Sequence, residues 1–202
     1  MLDAHPECVI CSHDVVRVIG KKEVRNRSFG ANGFEVKNLA DLYKKMPFFA
    51  HSSKMFRNDF PGDYWDGFAE YAIDFEIHVE QAKRGSIIHI CNFLGGYNEN
   101  VGMSFLGKRV NPGLPAAYRR VFEYALKNGN VDLSRRKLKT LFARGMLGYA
   151  YQSARVGNIV DCRLYTAESI KIKLYSPLQL SVYLISFFPR ACRFFANIYN
   201  KL

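Results

Sequence analysis

Three groupings of residues in this 202-residue chain have types and spacings that could do chemistry. The first is the C-x2-C pair Cys8 and Cys11, in the context Glu-Cys-Val-Ile-Cys-Ser-His. Such a pair is half of a zinc site, but the surroundings read as a β-strand, where residues three apart point to opposite faces. No second Cys or His pair follows at finger spacing, so no metal is assigned. The second is an acidic segment holding Asp59, Asp63, Asp66, Glu70, Asp74, Glu76 and Glu80. Asp74 stands where a helix is expected to begin, and the positive end of a helix favours an ionised carboxylate, the state a general base requires. Glu70 and Glu76 are near enough in sequence to repel that charge. The same aspartate in the same place also serves as an N-cap. The third is basic: Arg135-Arg136-Lys137-x-Lys139, with Lys108, Arg109, Arg119 and Arg120 before it, a set that could neutralise phosphates.

Charge divides the chain. Residues 1–100 sum to −2 and residues 101–202 to +13, so the whole excess of the net +11 lies in the second half. A basic half suits an anionic surface, either phospholipid or nucleic acid, although a charge run is as often a solvated helix face. With 49% hydrophobic and 23% charged residues the chain can bury a core and is not a disordered protein. Five scattered cysteines, an odd number, fit reduced thiols better than a disulfide framework. The N-terminus lacks the basic-then-apolar pattern of a secretory signal, so the expected location is cytoplasmic, or peripheral on the inner face of the plasma membrane.

The elements that must position these residues follow from local signals. Residues 8–19 are β-branched and apolar, broken near Ser12 to Asp14, and read as one or two strands; a loop continues to about Gly33. Asn38 is placed to cap a short helix, Leu39 to Lys45, ended by the proline after Met46. Residues 48–57 read as extended. From Asp74 to Arg84 the pattern is helical, with Phe75, Val79 and Ala82 on one face and Gly85 as the C′ residue. Residues 86–97 read as strand, turn and strand. Helices follow over Leu114 to Asn128, from Ser134 to about Arg155, and over 159–169; Ser176-Pro177 opens a last one. The apolar run Leu178 to Phe188 is about half the ~20 residues of a bilayer span, so that last helix lies in the interface plane or packs as a core helix.

Three pieces, in order, carry a resemblance. They are residues 2–15 (LDAHPECVICSHDV), residues 47–57 (PFFAHSSKMFR) and residues 72–85 (AIDFEIHVEQAKRG), the last followed by a strand and Tyr97. Together they resemble the family 2 glycosyltransferases of the GT-A fold, which commonly build bacterial surface polysaccharides. The resemblance covers roughly residues 2–104. It implies an α/β fold, a partial GT-A-like mixed sheet with flanking helices over 1–104; the basic helical region expected over 105–202 is read from its own helix signals and charge.

The resemblance implies an inverting, nucleotide-sugar-dependent transfer in which Asp74 is the catalytic base. It places His51, Ser52, Trp65, Glu76, His78 and Tyr97 around the acceptor, a sugar or lipid-linked glycan. Where the family carries Glu before that Asp, this chain has Ile73, and where it carries Y-R-x-H, this chain has Tyr97-Asn98-Glu99-Asn100. The family's strand and D-x-D motif, which hold a nucleotide sugar with Mg²⁺ or Mn²⁺, precede the matching region. Asp63-Tyr64-Trp65-Asp66 has the wrong spacing and place for it. The expectation is therefore an acceptor-side half with no cofactor held by this chain alone, self-associated or paired with a donor-binding half. The alternatives are a basic helical nucleic-acid binder, which no helix-turn-helix, RRM or KH signature favours, and a non-catalytic interaction protein that kept the fold.

Overall fold

The structure, a computed structural model, describes residues 1–30, 33–45, 48–58, 74–98, 105–106 and 109–199; of residues 51, 105, 106 and 195–199 only the backbone is described. The chain is mixed α/β and divides into two compact units, Met1–Gly102 and Met103–Leu202.

The first unit is a curled, mixed five-stranded sheet. Strand β1 (Cys8–Ile19) begins with the period-two burial of a strand: Cys8, Ile10, Ser12 and Asp14 are buried and the residues between them half-buried. It pairs in parallel with β5 (Ser86–Asn98), in which Ile87, Ile88 and His89 are buried in succession, the sign of a strand covered on both faces. Three antiparallel strands complete the sheet. β2 (Lys22–Val24) and β4 (Lys54–Phe56) lie along the outer edge of β1, at its two ends, and β3 (Phe34–Lys37) lies along β5. Gly20, with φ of 62°, makes the turn from β1 into β2, a strand that the loop expectation passed over.

Helix α1 (Leu39–Lys44) is closed at its start by a reciprocal cap: Asn38 Oδ1 accepts from the Asp41 amide at 3.0 Å and Asp41 Oδ2 accepts from the Asn38 amide at 3.2 Å. Helix α2 (Asp74–Ala82) buries Phe75, Val79 and Ala82 as the periodicity predicts, and adds His78 and Gln81. Two expectations are corrected here. Residues 86–97 form one strand, because Gly95 and Gly96 are held extended opposite Val15 and Val16 of β1; the expected break near Ser12 to Asp14 survives only as bulged pairing around Asp14. Residues 48–57 are not extended throughout, since a 3-10 turn at His51–Ser53 precedes β4.

Gly85 does not close α2, which ends three residues earlier. It is glycine because the chain entering β5 passes close to β1: a Cβ there would sit 2.7 Å from the Glu7 carbonyl oxygen and 2.8 Å from Val9 Cγ1. Ser86 N–H donates to that same Glu7 carbonyl at 3.0 Å.

The second unit is helical, with one small hairpin of β6 (Phe105–Leu106) and β7 (Arg109–Val110). α3 (Gly113–Asn128) ends on left-handed Gly129, and α4 (Arg135–Arg155) starts from the Ser134 cap, both as predicted. α5 (Ile159–Ile172) runs three residues beyond its expected end. The expected single last helix is two, α6 (Pro177–Ile185) and α7 (Pro189–Tyr199), because Pro189 brings no N–H to continue a helix and is well suited to open one. Phe122 and Phe142 stack at 5.3 Å between α3 and α4, and bidentate pairs Arg109–Asp161 and Arg119–Glu168 tie β7 and α3 to α5.

Gly85→Ala is expected to lower stability by about 1–3 kcal/mol through forced displacement at a backbone contact. Gly96→Ala, where a Cβ meets nothing within 4 Å, serves as the control and changes stability by less than about 1 kcal/mol. Urea denaturation of the two variants checks this, and equal midpoints would remove the close approach from the explanation.

Candidate functional site

The two ends of the β1–β4 contact decide what gathers around α2. Register pairs Lys54 with Ser12, which turns the Lys54 side chain toward α2, where Nζ donates to Gln81 Oε1 at 2.7 Å. Lys54 is half-buried, and burial pulls its ammonium down to about 8; the negative charge of Asp74 acts in the opposite direction and limits the drop. Asp74 opens α2 and is exposed. An exposed carboxylate and a poorly solvated ammonium therefore share one face, within electrostatic reach of each other. Gln81 is fully buried, and its Nε2 has no hydrogen-bond partner among the described residues.

Beneath this face lies a sealed polar array. His89 Nε2 is 3.2 Å from Asp14 Oδ1, and His89 Nδ1 is 2.9 Å from Ser12 Oγ. The residue types are those of a nucleophilic triad, but Ser12, Asp14 and His89 are 1%, 3% and 0% exposed, so no substrate carbonyl reaches the hydroxyl. A neutral imidazole satisfies both contacts, donating from Nε2 to the carboxylate and accepting at Nδ1 from the serine. Burial, the largest influence, holds His89 below its ordinary 6.5, against the pull of Asp14. Asp14 Oδ1 also accepts from the Ser28 amide at 2.9 Å. Phe29 and Phe48 meet the His89 ring edge-on at 5.3 and 5.6 Å; Phe48 packs on Phe49, and Phe49 on His78 of α2 at 4.6 Å. This aromatic chain fixes the height at which α2 sits over the sheet.

No protein-family model, curated protein or solved structure matches the chain.

Of the residues singled out in the sequence, Asp74 and Glu76 lie together in the first turn of α2, Glu76 half-buried. His51 and Ser52 belong to the turn that leads into Lys54; Ser52 is exposed, and only the backbone of His51 is described. His78 is fully buried against Phe49, so it packs the helix and does not face solvent. Tyr97 is exposed but pairs with Arg17, five residues along β1 from the Ser12–Lys54 pair and so roughly 16 Å away along the strand, outside the Asp74 group. Trp65 and Glu70 lie outside the described residues.

Sequence reasoning passed over Lys54 and Gln81 as functional groups and the Ser12–Asp14–His89 array entirely. The signal for the array was parity: Ser12 and Asp14 occupy the inward positions of the strand that begins with Cys8 and Ile10. Among the described residues no three His, Cys, Asp or Glu side chains come together to hold a metal ion.

Because the folded chain binds the His89 proton more weakly than the unfolded chain, this group's contribution to stability is complete above pH 6.5 and declines as pH falls below it. Long-range ¹H–¹⁵N spectra of the histidine rings are expected to show His89 as one neutral tautomer, protonated at Nε2, at pH values below 6.5 where the chain remains folded. A doubly protonated His89 ring under those conditions would contradict the sealed array.

Proposed function

We propose that this chain supplies the acceptor side of an inverting glycosyltransferase, with Asp74 as the base. The observation that carries the reading is the exposed Asp74 carboxylate at the start of a sheet-packed helix, within electrostatic reach of the half-buried ammonium of Lys54. In an inverting transfer the acceptor hydroxyl oxygen forms a bond to the anomeric carbon while the bond from that carbon to the departing phosphate oxygen breaks. The hydroxyl proton passes to the base, and the electron pair leaves with the nucleoside diphosphate. A base in this role must reach an incoming hydroxyl, which the exposure of Asp74 allows.

Lys54 suits the acceptor rather than the base. A sugar presents adjacent hydroxyls, each a donor and an acceptor. The half-buried Lys54 ammonium, which spends one N–H on Gln81 Oε1, provides further donors near Asp74. The GT-A likeness of the sheet belongs to this proposal. It is supported by the order of the elements: β4, then α2 opening on the aspartate, then a strand parallel to β1.

Saturation-transfer NMR with a panel of hexoses, N-acetylhexosamines and their disaccharides is expected to detect at least one saccharide. Its binding should weaken about tenfold or more on Asp74→Ala or Lys54→Ala, the loss that removal of a charged hydrogen-bonding group brings. Calorimetry with nucleotide sugars and Mn²⁺ is expected to show no metal-dependent binding. Saccharide binding indifferent to both substitutions, an empty panel, or tight metal-dependent nucleotide-sugar binding would each overturn the proposal.

A further inference from the structure

Helix α6 carries large apolar side chains on both its inner and its outer side, with Gln179 buried and Ser181 exposed among them. Its inner side places Val182 against α4 and α7, around a small apolar cavity lined also by Tyr151, Ala154 and Cys192. Its outer side nevertheless carries Leu180 and Leu184, 44% and 64% exposed. The turn into α7 adds Phe187 and Phe188, 50% and 68% exposed, and α7 itself adds Phe194 at 64%. Five large apolar side chains thus stand in water within fifteen residues of chain, a concentration of exposed apolar surface that marks an interaction site.

The corner is held in place rather than frayed. The Arg163 guanidinium donates to the Ser186 carbonyl at 3.1 Å, at the C-terminal end of α6, and its carbon lies 4.0 Å from the centre of the Phe187 ring. Val160 and Leu164, flanking Arg163 on the same stripe of α5, are also exposed, at 77% and 56%. The fully buried Gln179 anchors the other end of α6: its amide donates to Ser169 Oγ at 2.8 Å and to the Lys173 carbonyl at 3.0 Å.

Charge selects the occupant. After Glu168 the chain has no acid, but it has Lys171, Lys173, Arg190, Arg193 and Lys201. Arg190 and Arg193 are exposed on the same helix as Phe194. A second copy seated two-fold on this patch would bring cations against cations with no carboxylate from this region to pair them. A nucleic acid would satisfy the charges and could stack on the phenylalanines, but it leaves Leu180 and Leu184 without an apolar partner. An anionic bilayer satisfies both: lipid phosphates meet the arginines, and the headgroup–acyl boundary takes the leucines and phenylalanines. No described helix is long and apolar enough to cross a membrane, so the contact is one of lying on the surface.

We infer that the α6–α7 corner docks on anionic phospholipid, with Leu184, Phe187, Phe188 and Phe194 entering the interface and Arg190 and Arg193 at the headgroups. The surface belongs to the second unit and does not rest on the glycosyltransferase reading of the first. The test is co-sedimentation of the full chain with phosphatidylcholine vesicles and with phosphatidylcholine–phosphatidylglycerol vesicles, at low and high salt. Binding is expected to the anionic vesicles only, and to weaken with salt. The double variant Leu184→Ser, Phe188→Ser, both residues exposed and so compatible with an unchanged circular dichroism spectrum and melting temperature, should weaken it by about tenfold or more. Arg190→Glu should weaken binding to anionic vesicles without affecting folding.

Equal binding to both vesicles, no binding to either, or a folded double variant that binds like the parent would overturn the inference. So would light scattering that shows a dimer dissociated by the double substitution without any vesicle binding, which would make a second copy the occupant. Retention of single-stranded DNA in the absence of vesicle binding would also overturn it, in favour of nucleic acid.

Discussion

Parallel pairing of β1 with β5 constrains everything else in the first unit. The two strands are central, with their inward faces covered, so any polar side chain turned inward must find a partner inside the fold. Asp14, Ser12 and His89 do so, and their geometry exists only in this register. The pairing also requires the chain leaving α2 to pass within van der Waals reach of the start of β1, which restricts position 85 to glycine. The location of α2, and with it Asp74, is thus a consequence of how two strands distant in sequence align.

Electrostatics then separates the two units. In the first, a few charges are placed closely: one ammonium held half out of water, one exposed carboxylate, and one buried histidine kept neutral. An ammonium loses hydration on burial and keeps its proton less firmly, so Lys54 is responsive to any charge beside it. In the second, four acids face many more cations, and two of the four, Asp161 and Glu168, are already engaged by arginines within the unit. Seventeen lysines and arginines against four acids leave this half of the chain with a net charge of +13. Arg135, Arg136 and Lys137 add to it at the N-terminal end of α4, where their charge opposes the helix dipole.

What could be read in advance was local. The ends of α3 and α4 follow from Gly129 and Ser134, and the Asn38 cap follows from its own side chain and that of Asp41. The buried stripe Phe75, Val79 and Ala82 follows from helical periodicity. What could not be read depends on register or approach. Gly95 and Gly96 look like a turn until Val15 and Val16 hold them extended. Gly85 looks like a helix stop until Glu7 and Val9 are seen beside it. Lys54 looks like an ordinary surface lysine in an apolar stretch, and only the pairing of β4 with β1 shows that its amine leads to Gln81 and Asp74. His89 meets Asp14 across 75 residues of sequence, a distance at which no local pattern operates.

The shared face of Asp74 and Lys54 is tested most directly by the titration of the Lys54 side-chain amine, followed by NMR in lysine-labelled protein. The parent is expected to titrate at about 8, and Asp74→Asn to titrate lower still, because removing the carboxylate withdraws the charge that supports the ammonium. A midpoint near the ordinary 10.5, or one unchanged by Asp74→Asn, would show that the two groups do not share that face.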